Sequence, residues 1–500
     1  MKPEYDLVAL GGGTAGLVAT LTVAEMGGRA ALIEEDRPGG DCLYTGCVPS
    51  KTVIASAELA HRMRTADAVA LEPSEPSPDF GRVLGRINET IAAAGTRDDP
   101  EYLQSKGVEV VKARGRFTAP GRIEADGREL RFRVALIATG SAPAIPPIPG
   151  LDRVDPLTNK SLFELRKRPG HLAVLGGGPI GTELGQALAR LGSRVSVVEA
   201  MPQLLPREER EAGELLAGTL ADEGVDVHTA TRVAAVHPGA DGSGRLMLSP
   251  SDSTAGDDVP TGDATSDVDS GGVIEFDRIL VATGRTPVTD DLGLDAVGVE
   301  LDERGAVKVN DRLATSGSHI YAAGDVVGGL QFTHVAAYHG LVAVANGLFR
   351  ARRKAETRWI PWVTFTDPEI ARVGLTEEEA RQRLGEEPLV FKHDRADLDR
   401  ALTAGRPHGF SKLVADRKGR LLGATVAGHA AGETVGELAR LVRDKGKVAD
   451  VSQMVYAYPT YANGVQLAAN DWWAHKYFTP KGKRRFQRIL SLLRRIDRPR

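Results

Sequence analysis

The chain has 500 residues, of which 42% are apolar and 57 are glycine, a composition that predicts about three α/β domains rather than one core. No run approaches the roughly 18–20 apolar residues of a membrane span, and a net charge of −4 excludes a generally basic nucleic-acid binder. Cys42 and Cys47 are the only cysteines: too few and too close for a disulfide-stapled secreted fold, and short of the four ligands of structural zinc.

The opening MKPEYDLVALGGG enters a strand at once, which predicts no signal peptide and a cytoplasmic protein. That strand runs into Gly11-x-Gly13-x-x-Gly16, then an Ala/Leu-rich helix and a second strand, AALIE, ending on Glu34. The pattern returns at HLAVLGGGPIG, with Gly176-x-Gly178-x-x-Gly181 and a strand VSVVE ending on Glu199. In both copies the acid stands 23 positions after the first glycine. The first glycine of such a loop makes the tight turn, the second admits a diphosphate and the third lets helix meet strand. The helix N-terminus faces the phosphates and the acid accepts from ribose hydroxyls. Two complete copies predict two dinucleotide-binding domains.

Each copy is followed by a strand ending in Ala-Thr-Gly, with Thr139 and Gly140 in VALIATGSAP and Gly284 in ILVATGRTP. Residues 238–272, dense in Asp, Ser, Gly and Thr, read as a long acidic surface loop. Further on come TSGSHIYAAGDVVG, a strand with a turn at Asp325, and an Ala-rich helix from His334. From Trp359 the pattern changes to strands and amphipathic helices without phosphate loops. The expected division is 1–150 and 287–356 for the first nucleotide domain and 151–286 for the second. Residues 357–475 form a third domain and 476–500 a tail. The tail carries ten basic residues against Asp497, a charge of +9 that leaves −13 for the rest. Within it Phe486, Ile489, Leu490, Leu493 and Ile496 fall at helical spacing among arginines. Such a helix suits an anionic membrane surface, although a solvated tail or a helix packed in the protein's own dimer would share the pattern.

Together with these motifs, the stretch GGDCLYTGCVPSK (Gly39 to Lys51) closely resembles the class I pyridine nucleotide-disulfide oxidoreductases, which include dihydrolipoamide dehydrogenase, glutathione reductase and mercuric reductase. The resemblance spans about Tyr5 to Asn470. It implies an α/β fold of two Rossmann-like domains, for FAD and NAD(P), plus a C-terminal α+β dimerisation domain, in a homodimer. It implies FAD on Gly11, Gly13, Gly16 and Glu34, with Asp325 at the ribitol chain and Lys51 near flavin N5. Thr139, Gly140, Gly284 and His334 join the cofactor-binding set. The nicotinamide nucleotide falls to Gly176, Gly178, Gly181 and Glu199, with Glu183 the partner of Lys51. Glu183 also reads as a first-turn acid favoured by the helix dipole. An acid at Glu199 favours NADH over NADPH.

By the same resemblance, electrons pass from NAD(P)H through flavin to a Cys42–Cys47 disulfide. Cys47 is then the thiol beside flavin, and Cys42 exchanges with substrate. The spacing closes a small ring if Cys42 enters a helix that favours its thiolate. Asp41 stands where the family commonly has Thr; it either disfavours the Cys42 thiolate or points into solvent. The family's C-terminal His-Pro-Thr-x-x-Glu is replaced by YAYPTYANG, with Tyr458 for the histidine and Asn463 for the glutamate. A tyrosine near pKa ~10 is a poor base at neutral pH. Tyr458, Thr460, Gly464, Leu467 and Ala468 resemble mercuric reductases, whose metal-ion substrate needs soft thiolates more than a proton shuttle. The expected activity is therefore a mercuric-reductase-like enzyme with Cys42, Cys47, Lys51, Glu183 and Tyr458 catalytic, no resident metal, and a small-molecule or metal-ion acceptor. The alternatives are a dihydrolipoamide dehydrogenase-type disulfide reductase and a membrane-docked electron-transfer subunit.

Overall fold

A computed structural model describes residues 2–250 and 272–496. The chain forms two compact units. The first consists of residues up to Thr65, Ser74–Leu204 and Leu220–Thr357. Its main sheet is parallel at the centre, in the order Val108–Lys112, Ala30–Glu34, Tyr5–Leu10, Arg128–Ile137, with Ile320–Ala322 beside the last. A parallel sheet is covered on both faces, so its strands are apolar almost throughout. Tyr5–Leu10 is accordingly buried at every position but Asp6. One face packs against the helix Thr14–Glu25 and residues such as Val342 and Leu348, the other against Phe117, Ile123 and Leu292.

A second parallel sheet repeats the plan in the order Asp226–His228, Arg194–Val198, His171–Leu175, Arg278–Val281. The two-domain expectation is thereby met in architecture. The acidic insert begins later than the sequence suggests. Gly244–Pro250 is the middle strand of an antiparallel sheet between Thr231–Pro238 and Val273–Phe276. Its alternation turns Leu246 and Leu248 into the core, and this overrides the local Gly/Ser composition. Residues 251–271 of the expected loop lie outside the described residues.

The second unit is built on a five-stranded antiparallel sheet, Pro361–Thr364, Ile370–Gly374, Leu421–Ala427, Phe410–Ala415, Leu389–Asp394. The helices Ala431–Asp444 and Asn463–Tyr477 pack on it through Leu438, Val442, Ala468 and Trp472. Residues 66–73 and 205–219 belong to this unit and not to the stretches of sequence that contain them. Buried Lys412 explains part of this, since its ammonium lies 3.1 Å from Glu209 and 2.8 Å from Glu377. A buried cation persists only with such partners. The described residues end in the helix Pro480–Ile496.

Candidate active site

The two glycine loops are the same object built twice. Gly13 and Gly178 precede the helices Thr14–Glu25 and Pro179–Arg190 with nearly identical extended backbones, and neither helix start has a side-chain cap. Its first N–H groups therefore face outward for an anion. Gly11 and Gly176 sit at φ +105° and +103°, where a side chain would strike the carbonyls of Ala138 and Ala282. A Cβ on Gly16 would overlap the carbonyl of Gly11, and one on Gly181 that of Gly176. Glu34 accepts from the Gly12 N–H at 2.6 Å and the Asp36 N–H at 2.8 Å. Glu199 accepts from Gly177 at 2.7 Å and Met201 at 2.8 Å. These cradles suit two dinucleotide diphosphates.

The turn that leads into the cysteines lies against the first cradle, with the Gly39 N–H donating to the Gly12 carbonyl at 2.8 Å. Cys42 is in the short helix Gly40–Tyr44, while Cys47 opens the 18-residue helix Cys47–Arg64. The helix-entry position expected for Cys42 thus belongs to Cys47, because the chain turns at Gly46 and starts the long helix there. Both are free thiols, Cys42 half-buried and Cys47 exposed. A hydrogen bond from the Cys42 thiol lowers the Cys47 pKa to about 6, against burial, with Thr333 and Lys51 also favouring the thiolate. The same bond, together with burial, pushes the Cys42 thiol well above its ordinary value. The two shifts run in opposite directions, so the first proton is lost more readily from the pair by way of Cys47. Thr333 Oγ1, at the start of the helix Thr333–Phe349, lies 3.2 Å from Cys47 Sγ. Nothing in the sequence pointed to it.

Lys51, one turn further along the helix, donates to Glu183 at 2.7 Å. Glu183 is buried in the second turn of Pro179–Arg190, so the first-turn dipole account does not hold; its partner is the lysine. The pair ties the cysteine helix to the helix of the second cradle.

Asp41 neither faces free solvent nor stands alone beside Cys42. It forms an ion pair with Arg285 of the second Ala-Thr-Gly strand region. Arg285 also donates to Ser141 Oγ at 2.7 Å, and Ser141 donates to Asp325 at 2.7 Å. Burial raises the Asp325 pKa, opposed by that bond and by Arg285. Thr139 donates to the Val288 carbonyl at 2.6 Å, and Gly140 and Gly284 take φ +71° and +153°. His334 stacks on Phe332 at 5.5 Å.

Residues 5–340 match the model of the pyridine nucleotide-disulphide oxidoreductases, and residues 360–469 match that family's dimerisation domain. The chain belongs to this family. Its members bind FAD, use NAD(P)H and carry a redox-active disulfide, and the dimerisation domain supports a homodimer. A mercuric reductase of Bacillus cereus is 33% identical, over 93% of this chain and 71% of that protein. A dihydrolipoyl dehydrogenase of Thermus scotoductus is 34% identical over 93% and 96%. Among solved structures, LpdA of Mycobacterium tuberculosis superposes with a TM-score of 0.81 at 30% identity, covering 93% and 99%. The Cu(II) complex of the HOCl-induced flavoprotein disulfide reductase RclA of Escherichia coli gives 0.80 at 27%, covering 94% and 99%.

Tyr458 belongs to the second unit and is 71% exposed. Its hydroxyl donates to Asp399 at 2.6 Å, and this bond holds the phenol above its usual pKa. Asn463 hydrogen-bonds Gln466 at 2.9 Å, so the family's acid–base pair has no counterpart between these two side chains. No group of three or more His, Cys, Asp or Glu side chains placed to hold a metal ion occurs among the described residues.

Proposed function

We propose that this enzyme takes hydride from NADH and delivers two electrons through Cys42 and Cys47 to a soft, thiol-binding metal ion, of which Hg(II) is the prototype. FAD, when bound, accepts the hydride and passes the electron pair on. The chain's residues do the rest. Gly11, Gly13 and Gly16 admit the flavin diphosphate, Glu34 takes the adenosine ribose, and Asp325 takes the ribitol chain. Thr139, Gly140, Gly284 and His334 line the cofactor site. Gly176, Gly178 and Gly181 admit the nicotinamide dinucleotide, and Glu199 favours an unphosphorylated ribose. Lys51, anchored by Glu183, holds positive charge beside the Cys47 thiolate.

The observation that carries this reading is the Tyr458–Asp399 hydrogen bond. Dithiol exchange with lipoamide or glutathione needs Cys42 deprotonated and the leaving thiolate protonated. A phenol whose pKa is raised does neither well near neutrality. A thiophilic cation needs no such shuttle, because binding to sulfur itself expels the thiol proton. Hg(II) held by both thiolates and given the electron pair of one NADH would leave as Hg(0), and the two thiolates take back the two protons that binding had released. Mercuric reductase relatives and the Cu(II) complex of a structural neighbour support a metal-ion acceptor.

The test compares acceptors on the flavin-loaded enzyme with NADH and then NADPH. We expect kcat/KM for thiol-complexed Hg(II) to exceed that for lipoamide by at least about a hundredfold, with NADH the better donor. Faster turnover with lipoamide would overturn the assignment. A long-wavelength absorbance band on anaerobic NADH reduction, lost in Cys47→Ser, checks that the pair relays the electrons.

A further inference from the structure

The C-terminal helix takes no part in this chemistry. Thr479 and Pro480 start it: the Thr479 hydroxyl accepts from the Gly482 N–H at 3.1 Å, and proline occupies the first helical position. It then runs about 25 Å with no buried residue. Phe486, Ile489, Leu490, Leu492, Leu493 and Ile496 gather on one arc of about 160°. All six are exposed, Phe486 by 64% and Ile496 by 67%. Seven lysines and arginines and no acid occupy the helix, and among the cations only Arg485 intrudes on the apolar arc. Tyr477 and Phe478, also exposed, mark its base.

Six large apolar side chains on one face are more than scattered surface residues require. An all-polar partner such as RNA would use the cations and leave this stripe in water. A second copy packed stripe to stripe would bring Arg485 of both helices into the seam, with no acid in either helix to pair it. A bilayer rich in anionic lipid meets both faces at once: headgroups take the cations and acyl chains the stripe. We infer that the helix Pro480–Ile496 is a peripheral membrane anchor that lies in the interface of an anionic leaflet and holds the reductase there. No helix of the described residues is long and apolar enough to cross a membrane, so the contact is with one leaflet. This does not depend on which acceptor the dithiol serves.

The experiment uses flavin-loaded full-length enzyme co-sedimented with phosphatidylcholine vesicles, with or without about one-third phosphatidylglycerol. Binding should need the anionic lipid and fall at least about tenfold in high salt. Leu490→Ser/Leu493→Ser and Arg484→Gln/Arg488→Gln, each in the full chain, should weaken it at least about tenfold while solution turnover stays unchanged. Equal binding to both vesicle types, or by the variants, would overturn the inference. It would equally be overturned if Leu490→Ser/Leu493→Ser halved the particle mass without lipid, which would make the stripe a contact between copies. A homopolymeric RNA that binds independently of Leu490 and Leu493 and displaces vesicles would also refute it.

Discussion

At Cys47 one proton decides the state of the site. The thiolate depends first on the hydrogen bond from Cys42, then on Thr333 and Lys51, all working against burial. Because the pKa is lowered, the thiolate is present above about 6 and is lost as pH falls through that value. Alkylation rates of the reduced enzyme by iodoacetamide should therefore follow a titration centred near there. Thr333→Val removes one stabilising partner, and the midpoint should rise by roughly 0.5–1 pH unit. An unmoved midpoint would mean that the contact across 3.2 Å carries no charge stabilisation. Of these neighbours, sequence reasoning named Cys42 and Lys51 because they share one motif. It missed Thr333, 286 residues away, since only the folded sheet brings that helix start to the sulfur. The fate of Asp41 was hidden similarly, because its cation Arg285 belongs to another strand.

The elements most legible in advance are those whose geometry only glycine permits. At Gly11, Gly16, Gly176 and Gly181 a Cβ has nowhere to go, so the residue type itself announces the turn. Gly16→Ala must push the helix Thr14–Glu25 off its strand, and flavin affinity should fall at least about a hundredfold, read as colourless purified protein. Gly181→Ala makes the matching overlap in the second copy; it should keep its flavin and show instead a raised KM for NADH. Loss of flavin in both variants would mean that the overlaps act through global stability. Less legible was the strand Gly244–Pro250, whose Gly-Arg-Leu-Met-Leu-Ser-Pro reads as insert until its neighbours supply a sheet. Nor could local pattern assign residues 205–219, which join the C-terminal unit through charges such as Glu209 on Lys412.

For the molecule as a whole, the segment before Tyr458 is the clearest sign of assembly. Val455 is 96% exposed and Met454 is half-exposed, inside the stretch that matches the dimerisation domain. Val455→Asp should shift the enzyme from dimer to monomer in sedimentation velocity and lower turnover in parallel; a dimer of unchanged stability would place the contact elsewhere. The twin cradles also set a condition on cofactor engineering. Glu199 is at once the expected ribose acceptor and the acceptor for the Gly177 and Met201 N–H groups. Replacing it by a small or basic residue to admit a 2′-phosphate would leave those donors unpaired, at about 1–3 kcal/mol each when buried. Conversion to NADPH thus calls for a residue at 199 that still accepts: Glu199→Gln keeps one oxygen for the buried Gly177 N–H and gives up only the part-buried Met201 bond, with the new arginine brought in from the segment that follows. A charge swap at a single position would loosen the loop it was meant to retune.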